Sequence, residues 1–152
     1  MKTTVLIAAI LFTSFYQKVH AHCEIPCGIY EDSLRIELLY EHILTIEKSM
    51  NKITEISESD NIDYNQLVRW INNKEDHANK IQDIVSQYFL HQRIKITDPE
   101  NEAEYQKYFK QLESLHHLLV YAMKAKQTTD LQYIEKLRKE VETFAGLYFH
   151  TH

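Results

Sequence analysis

Ile36, Leu39, Ile43, Ile46, Met50 and Ile53 recur at steps of 3, 4, 3, 4 and 3 residues. That alternation keeps all of them on one face of an α-helix packed in bundle fashion. Three more stripes follow. The second is Leu67, Ile71, Ala78, Ile81, Val85 and Tyr88, interrupted at Lys74. The third is Tyr105, Tyr108, Leu112, Leu115, Leu119 and Ala122, and the fourth is Ile134, Leu137, Val141, Phe144 and Tyr148. Start and stop signals separate them. Asp32-Ser33 offers a cap for the first helix, Ser57–Asn61 is a polar break, and Asp63 can cap the second. Asp98-Pro99 reads as a cap with proline at the first helical position, and Thr128–Asp130 breaks and caps again. Connections this short make each helix antiparallel to the one before. The pattern predicts an all-α, up-down-up-down four-helix bundle over residues 32–149, with no internal repeat and no second domain.

Composition agrees. Two glycines and two prolines in 152 residues leave little room for turn-rich β structure. Residues 1–21 have Lys2 near the start, an apolar run from Val5 to Phe12 and Val19-His20-Ala21 at the end, the form of a cleavable signal peptide. The apolar run is far short of the roughly 20 residues that a membrane span needs. Cleavage between Ala21 and His22 implies a secreted, periplasmic or lumenal destination and leaves one domain, residues 22–152. The leader carries two of the 17 basic residues and none of the 22 acidic ones, so the processed chain has a formal charge of −7. An acidic surface argues against nucleic acid and anionic membrane as partners.

Between leader and bundle lie nine residues, His22-Cys23-Glu24-Ile25-Pro26-Cys27-Gly28-Ile29-Tyr30, a hook holding both cysteines of the chain. Once His22 is terminal, its α-amine, the Cys23 amide nitrogen and the Cys23 and Cys27 thiolates make a planar N2S2 set. The His22 imidazole is available as an axial fifth donor. Planar nitrogen and sulfur donors suit Ni(II) or Cu(II), whereas zinc prefers a tetrahedron. Pro26 stiffens the segment and Gly28 lets it turn sharply. Thiolate donation stabilises a higher oxidation state, which fits a nickel ion working between Ni(II) and Ni(III).

The hook, His-Cys-x-x-Pro-Cys-Gly-x-Tyr followed by four helices, closely resembles nickel-containing superoxide dismutase. The resemblance implies one nickel per subunit held by His22, Cys23 and Cys27, superoxide as substrate, disproportionation to dioxygen and hydrogen peroxide, and a homohexamer. It also implies that Tyr30 sits over the open face of the metal and limits anion access. In the family a glutamate in an Arg-Ile-Glu run holds the hook histidine, and Arg35-Ile36-Glu37 supplies that run here. The stretch from Tyr30 to Arg35 is one residue shorter than in the bacterial sequences it resembles. An arginine on the family's second helix completes the hydrogen-bond chain; matching Lys74-Glu75 puts His77 there instead. For an antiparallel hairpin turning near Ser57–Asp60, Glu37 faces about residues 77–83, which brings His77 to the edge of contact. Tyr88, in a Tyr-Phe pair like one on the family's second helix, is a further candidate near the metal.

Other readings compete. Cys23 and Cys27 would serve a small disulfide loop in a secreted helical signalling bundle, and the same hook would serve a nickel or copper carrier without turnover. Glu113-x-x-His116 suggests a di-iron bundle, but that site needs two such motifs and the chain has one. His42 and His91 have no motif around them, and His150 and His152 read as a solvated tail.

Overall fold

The computed structural model describes residues 28–149, and the chain divides into two units, the second starting at Glu31. Of the first unit the described residues are Gly28, Ile29 and Tyr30. Gly28 has φ +71°, the left-handed region that side chains avoid, so the chain turns directly after Cys27 where a glycine permits it.

The second unit is the expected bundle: α1 (Asp32–Ser57), α2 (Tyr64–Asp83), α3 (Glu102–Gln127) and α4 (Gln132–Phe149). Helix α2 runs on without a break into a π-helical segment, Ile84–Arg93. Each helix packs on the next, and α4 closes the ring against α1. The four-membered ring with short connections is the up-down-up-down arrangement. Among the described residues there is no strand, and no helix is long and apolar enough to cross a membrane.

All six residues of the α1 stripe are buried, as are Ile134, Leu137, Val141 and Phe144 of α4. On α2 and its extension, Ala78, Ile81, Val85 and Tyr88 are buried, whereas Ile71 is exposed. Phe89, beside the expected stripe, is fully buried and meets the Phe144 ring edge-on, with 4.8 Å between centroids. Lys74 interrupts the α2 stripe because it caps another helix. It is buried, and its Nζ donates to the carbonyls of Lys126 (2.7 Å) and Thr128 (3.1 Å). Those carbonyls at the end of α3 lack helical partners, and a cation there also complements the helix dipole.

Two local expectations are corrected. Asp98-Pro99 does not open α3. Asp98 instead closes a turn, its Oδ1 accepting from the Glu100 N–H (3.0 Å) and its carbonyl from the Asn101 N–H (3.1 Å), and the helix begins at Glu102. The α3 stripe is also rotated, with Leu115, Leu118, Ala122 and Ala125 buried while Leu112 and Leu119 are only partly so. By contrast Asp63 does cap α2, accepting from the Gln66 N–H at 3.1 Å.

Candidate metal centre

The three ligand residues read from the sequence, His22, Cys23 and Cys27, lie outside the described residues. Tyr30 is described and 43% exposed. Glu37, in the second turn of α1, is exposed.

Glu37 and His77 do not meet. His77 Nδ1 lies 3.2 Å from Nδ1 of His42, and Asn73 Nδ2 donates to Ser49 Oγ at 2.9 Å, which fixes the register of the α1–α2 hairpin. In that register Glu37 stands level with about residue 82, some five residues and roughly 7 Å along the axis from His77. The hairpin turns slightly later than the polar break implied, and the offset removes the contact. His42, to which no role attached in the sequence, is the partner instead. It is 8% exposed, and the two rings meet edge-on with 5.0 Å between centroids. Burial pushes both imidazoles below their ordinary pKa. For His42 the facing His77 and Lys80 add to the effect, and for His77 Lys80 does; Glu41 opposes it in both and Asp76 in His77.

A denser cluster stands at the start of α1. Asp32 is not the cap of this helix; that place belongs to Glu31, whose side chain makes no capping bond. The Asp32 carboxylate gathers four hydrogen bonds. Tyr88 Oη donates to Oδ1 (2.6 Å), Arg93 Nε to Oδ1 (2.9 Å), Arg93 Nη2 to Oδ2 (2.7 Å) and Tyr148 Oη to Oδ2 (2.8 Å). Four bonds match the acceptor capacity of one carboxylate. Burial alone would raise the Asp32 pKa, but the bonds from Arg93, Tyr88 and Tyr148 outweigh it and hold the carboxyl below its usual range. Burial and the Asp32 charge push Tyr88 up as well, and take Tyr148 to about 12. Tyr88 Oη also accepts from the Glu31 N–H at 3.0 Å, and the Arg35 guanidinium lies 4.9 Å from the centre of the Tyr88 ring. Of this cluster only Tyr88 attracted notice in the sequence as a candidate near the metal. Arg93 carries no signal, because nothing in the residue types announces a π-helix.

The donor chemistry fits nickel. The two thiols and the imidazole of Cys23, Cys27 and His22 are soft and borderline donors of the kind a late first-row cation takes, and Gly28, with its left-handed backbone, follows the second cysteine in the sequence. Among the described residues no three His, Cys, Asp or Glu are grouped so as to hold an ion.

The fold is a helical bundle, and the candidate donors His22, Cys23 and Cys27 precede its first helix in the sequence. Residues 17–152 match the family model described as nickel-containing superoxide dismutase, a span that takes in the hook and all four helices. The chain therefore belongs to that family and is a nickel-dependent superoxide dismutase, an oxidoreductase. No curated protein and no solved structure matches it.

Proposed function

We propose that removal of residues 1–21 exposes His22, and that one nickel per subunit is then held by the α-amine and imidazole of His22, the amide nitrogen and thiolate of Cys23 and the thiolate of Cys27. Nickel bound there supplies one-electron redox chemistry between Ni(II) and Ni(III), so that superoxide is disproportionated to dioxygen and hydrogen peroxide. Tyr30, three residues after Cys27, limits the approach of anions. The exposed Glu37 carboxylate accepts from the His22 imidazole N–H and fixes the orientation of that ring, the usual work of a residue behind a metal ligand. His77 stands at the sequence position of the family arginine; its Nδ1 is engaged with His42 and it is offset from Glu37, so any support it gives the His22 imidazole comes through Nε2 and not through Glu37. The processed protein works in a secreted, periplasmic or lumenal space. It assembles as a homohexamer, for which the exposed Leu44, Tyr64, Val68 and Ile71 on α1 and α2 are the interface candidates.

The observation that carries this reading is the family match, whose span of residues 17–152 takes in both hook and bundle. Three measurements on the purified protein test it: the mass of its N-terminus, its nickel content and its turnover of superoxide. The expected result is a chain starting at His22 with one nickel per subunit and activity lost on Cys23→Ser. A start elsewhere removes the amine donor and defeats the ligand set. Nickel bound at the hook without turnover would favour a carrier.

A further inference from the structure

The Asp32 cluster is far more than a helix start requires. Helix α2 begins on a single side-chain hydrogen bond, from the Gln66 N–H to Asp63. Helix α1 begins where three separate elements converge: Asp32 itself, Tyr88 and Arg93 from the π-helical segment, and Tyr148 from the end of α4. The convergence depends on the π-helix. Residues five apart on an α-helix point roughly 140° away from each other. Hydrogen bonds of the i→i+5 type, such as Ile94 N–H to Phe89 carbonyl at 2.9 Å, bring such residues back to one side. Tyr88 and Arg93 are five apart, and both reach Oδ1 of Asp32. Short π-helical segments carry a cost and are concentrated at functional sites.

The cluster also holds backbone. Tyr88 Oη takes the Glu31 N–H while giving its own proton to Asp32, the next residue along, so side chain and main chain close a small ring around the Glu31–Asp32 peptide. Arg35 braces the ring from one side, its Nε buried without a hydrogen-bond partner among the described residues while the guanidinium lies over Tyr88. Glu31 follows directly on Tyr30, and the hook has no other covalent tie to the bundle.

We propose that Asp32 is a positioning residue for the metal-binding hook: with Arg93, Tyr148 and the π-helical turn, it holds the Glu31 backbone, to which the hook is joined. Asp32 touches neither metal nor substrate in this role; it acts through the Glu31 backbone. The inference rests on the reading that nickel is held at the hook.

The test compares Asp32→Asn and Tyr148→Phe with Val141→Ala, a core change far along α4 that lowers stability without touching the cluster. Metal-free protein is followed by amide hydrogen exchange at Glu31. Nickel-loaded protein is followed by electron paramagnetic resonance of the oxidised site and by superoxide turnover. Asp32→Asn is expected to speed exchange at Glu31 at least tenfold, to alter the rhombicity of the signal, and to lower turnover tenfold or more at unchanged nickel content. Tyr148→Phe removes one hydrogen bond and shifts the same readouts in the same direction by less, which keeps the test open if Asp32→Asn folds poorly. Val141→Ala leaves the signal as it was. An unchanged signal and unchanged exchange in Asp32→Asn and Tyr148→Phe overturn the proposal, as does an equal change in Val141→Ala. If the unsubstituted protein carries nickel away from the hook, it is the ligand assignment that fails, and the exchange measurement on metal-free protein still decides whether Asp32 holds Glu31.

Discussion

Helix α1 carries two polar clusters on its inner side, ten residues and about 15 Å apart, and they solve the problem of burial in opposite ways. At Asp32 a full charge is kept and is matched by a guanidinium and two hydroxyls. At His42 charge is disfavoured: two imidazoles face each other through Nδ1, and an N–H of one ring toward the lone pair of the other requires the accepting ring to be neutral. The first arrangement is rigid and insensitive to mild acid. The second holds only while no second proton arrives, because two imidazolium rings at 3.2 Å, with Lys80 nearby, repel. The end of the bundle where α1 begins is thus built from a pairing that survives mild acid, and the middle from one that does not.

The largest effect expected is from Arg93→Met. The substitution leaves the Asp32 carboxylate partly buried, facing two hydroxyls without its cation; side-chain exposure in the pair is only 25% and 16%. Breaking such a pair from one side costs about 3 kcal/mol, and thermal unfolding should show a midpoint lower by about 10 °C. A midpoint within a degree or two of the parent would make the cluster an ordinary surface ion pair and erase the contrast with His42.

The second effect is pH dependence, where the two clusters should separate. Both histidines have folded pKa values below the unfolded value near 6.5, so their contribution is present above that pH and is lost as pH falls through it. Asp32 has a depressed carboxylate pKa, so its contribution survives until pH falls below about 4. Tyr148 titrates at about 12 when folded and near 10 when unfolded, so stability declines again above about pH 10. Chemical denaturation from pH 4 to pH 8 should therefore show a fall below pH 6.5 in the parent, and a flattened profile in the His42→Gln/His77→Gln variant. A fall of the same size in both would place the acid sensitivity elsewhere.

Tyr148→Phe is smaller: it removes one of four bonds to Asp32 and should cost about 1 kcal/mol. The alkaline decline above pH 10 should shrink with it, which connects a single hydroxyl to one limb of the profile.

Legibility in the sequence divides along similar lines. The fold was plain wherever a stripe was unambiguous: every stripe residue of α1 from Ile36 to Ile53 is buried. On α3 the run Leu118-Leu119 fits two helical faces equally well, and the apolar pattern does not say which one meets Ala125 rather than Leu112. Asp32 read as a cap because a cap and a first-turn carboxylate look alike in a string of letters; the difference is one residue of helix and three partners from distant elements. Arg93 was invisible for a geometric reason, since 3.6-residue periodicity points it away from Tyr88. His42 sits at the flank of an apolar stripe, and only the register of the hairpin gives it a partner. The hook was the reverse case: its residue types carry the family resemblance, and residues 17–152 match the family model, while His22, Cys23 and Cys27 lie outside the described residues.

Glu37→Gln should have the smallest effect on folding and the most informative one on the site. The side chain is exposed on α1 and belongs to neither cluster, so stability should stay within about 0.5 kcal/mol of the parent. If Glu37 holds the His22 imidazole, the neutral amide weakens that hydrogen bond, and the oxidised nickel signal and superoxide turnover should change while the unfolding midpoint does not. Pairing it with His77→Gln sharpens the result, because the hairpin register keeps Glu37 and His77 apart. Two independent supports should give additive effects on turnover, whereas one connected chain through the His22 ring should give a double variant little worse than the stronger single one. Unchanged spectra in both single variants would leave the hook histidine held by neither, and would move the search for its support to the Asp32 end of the helix.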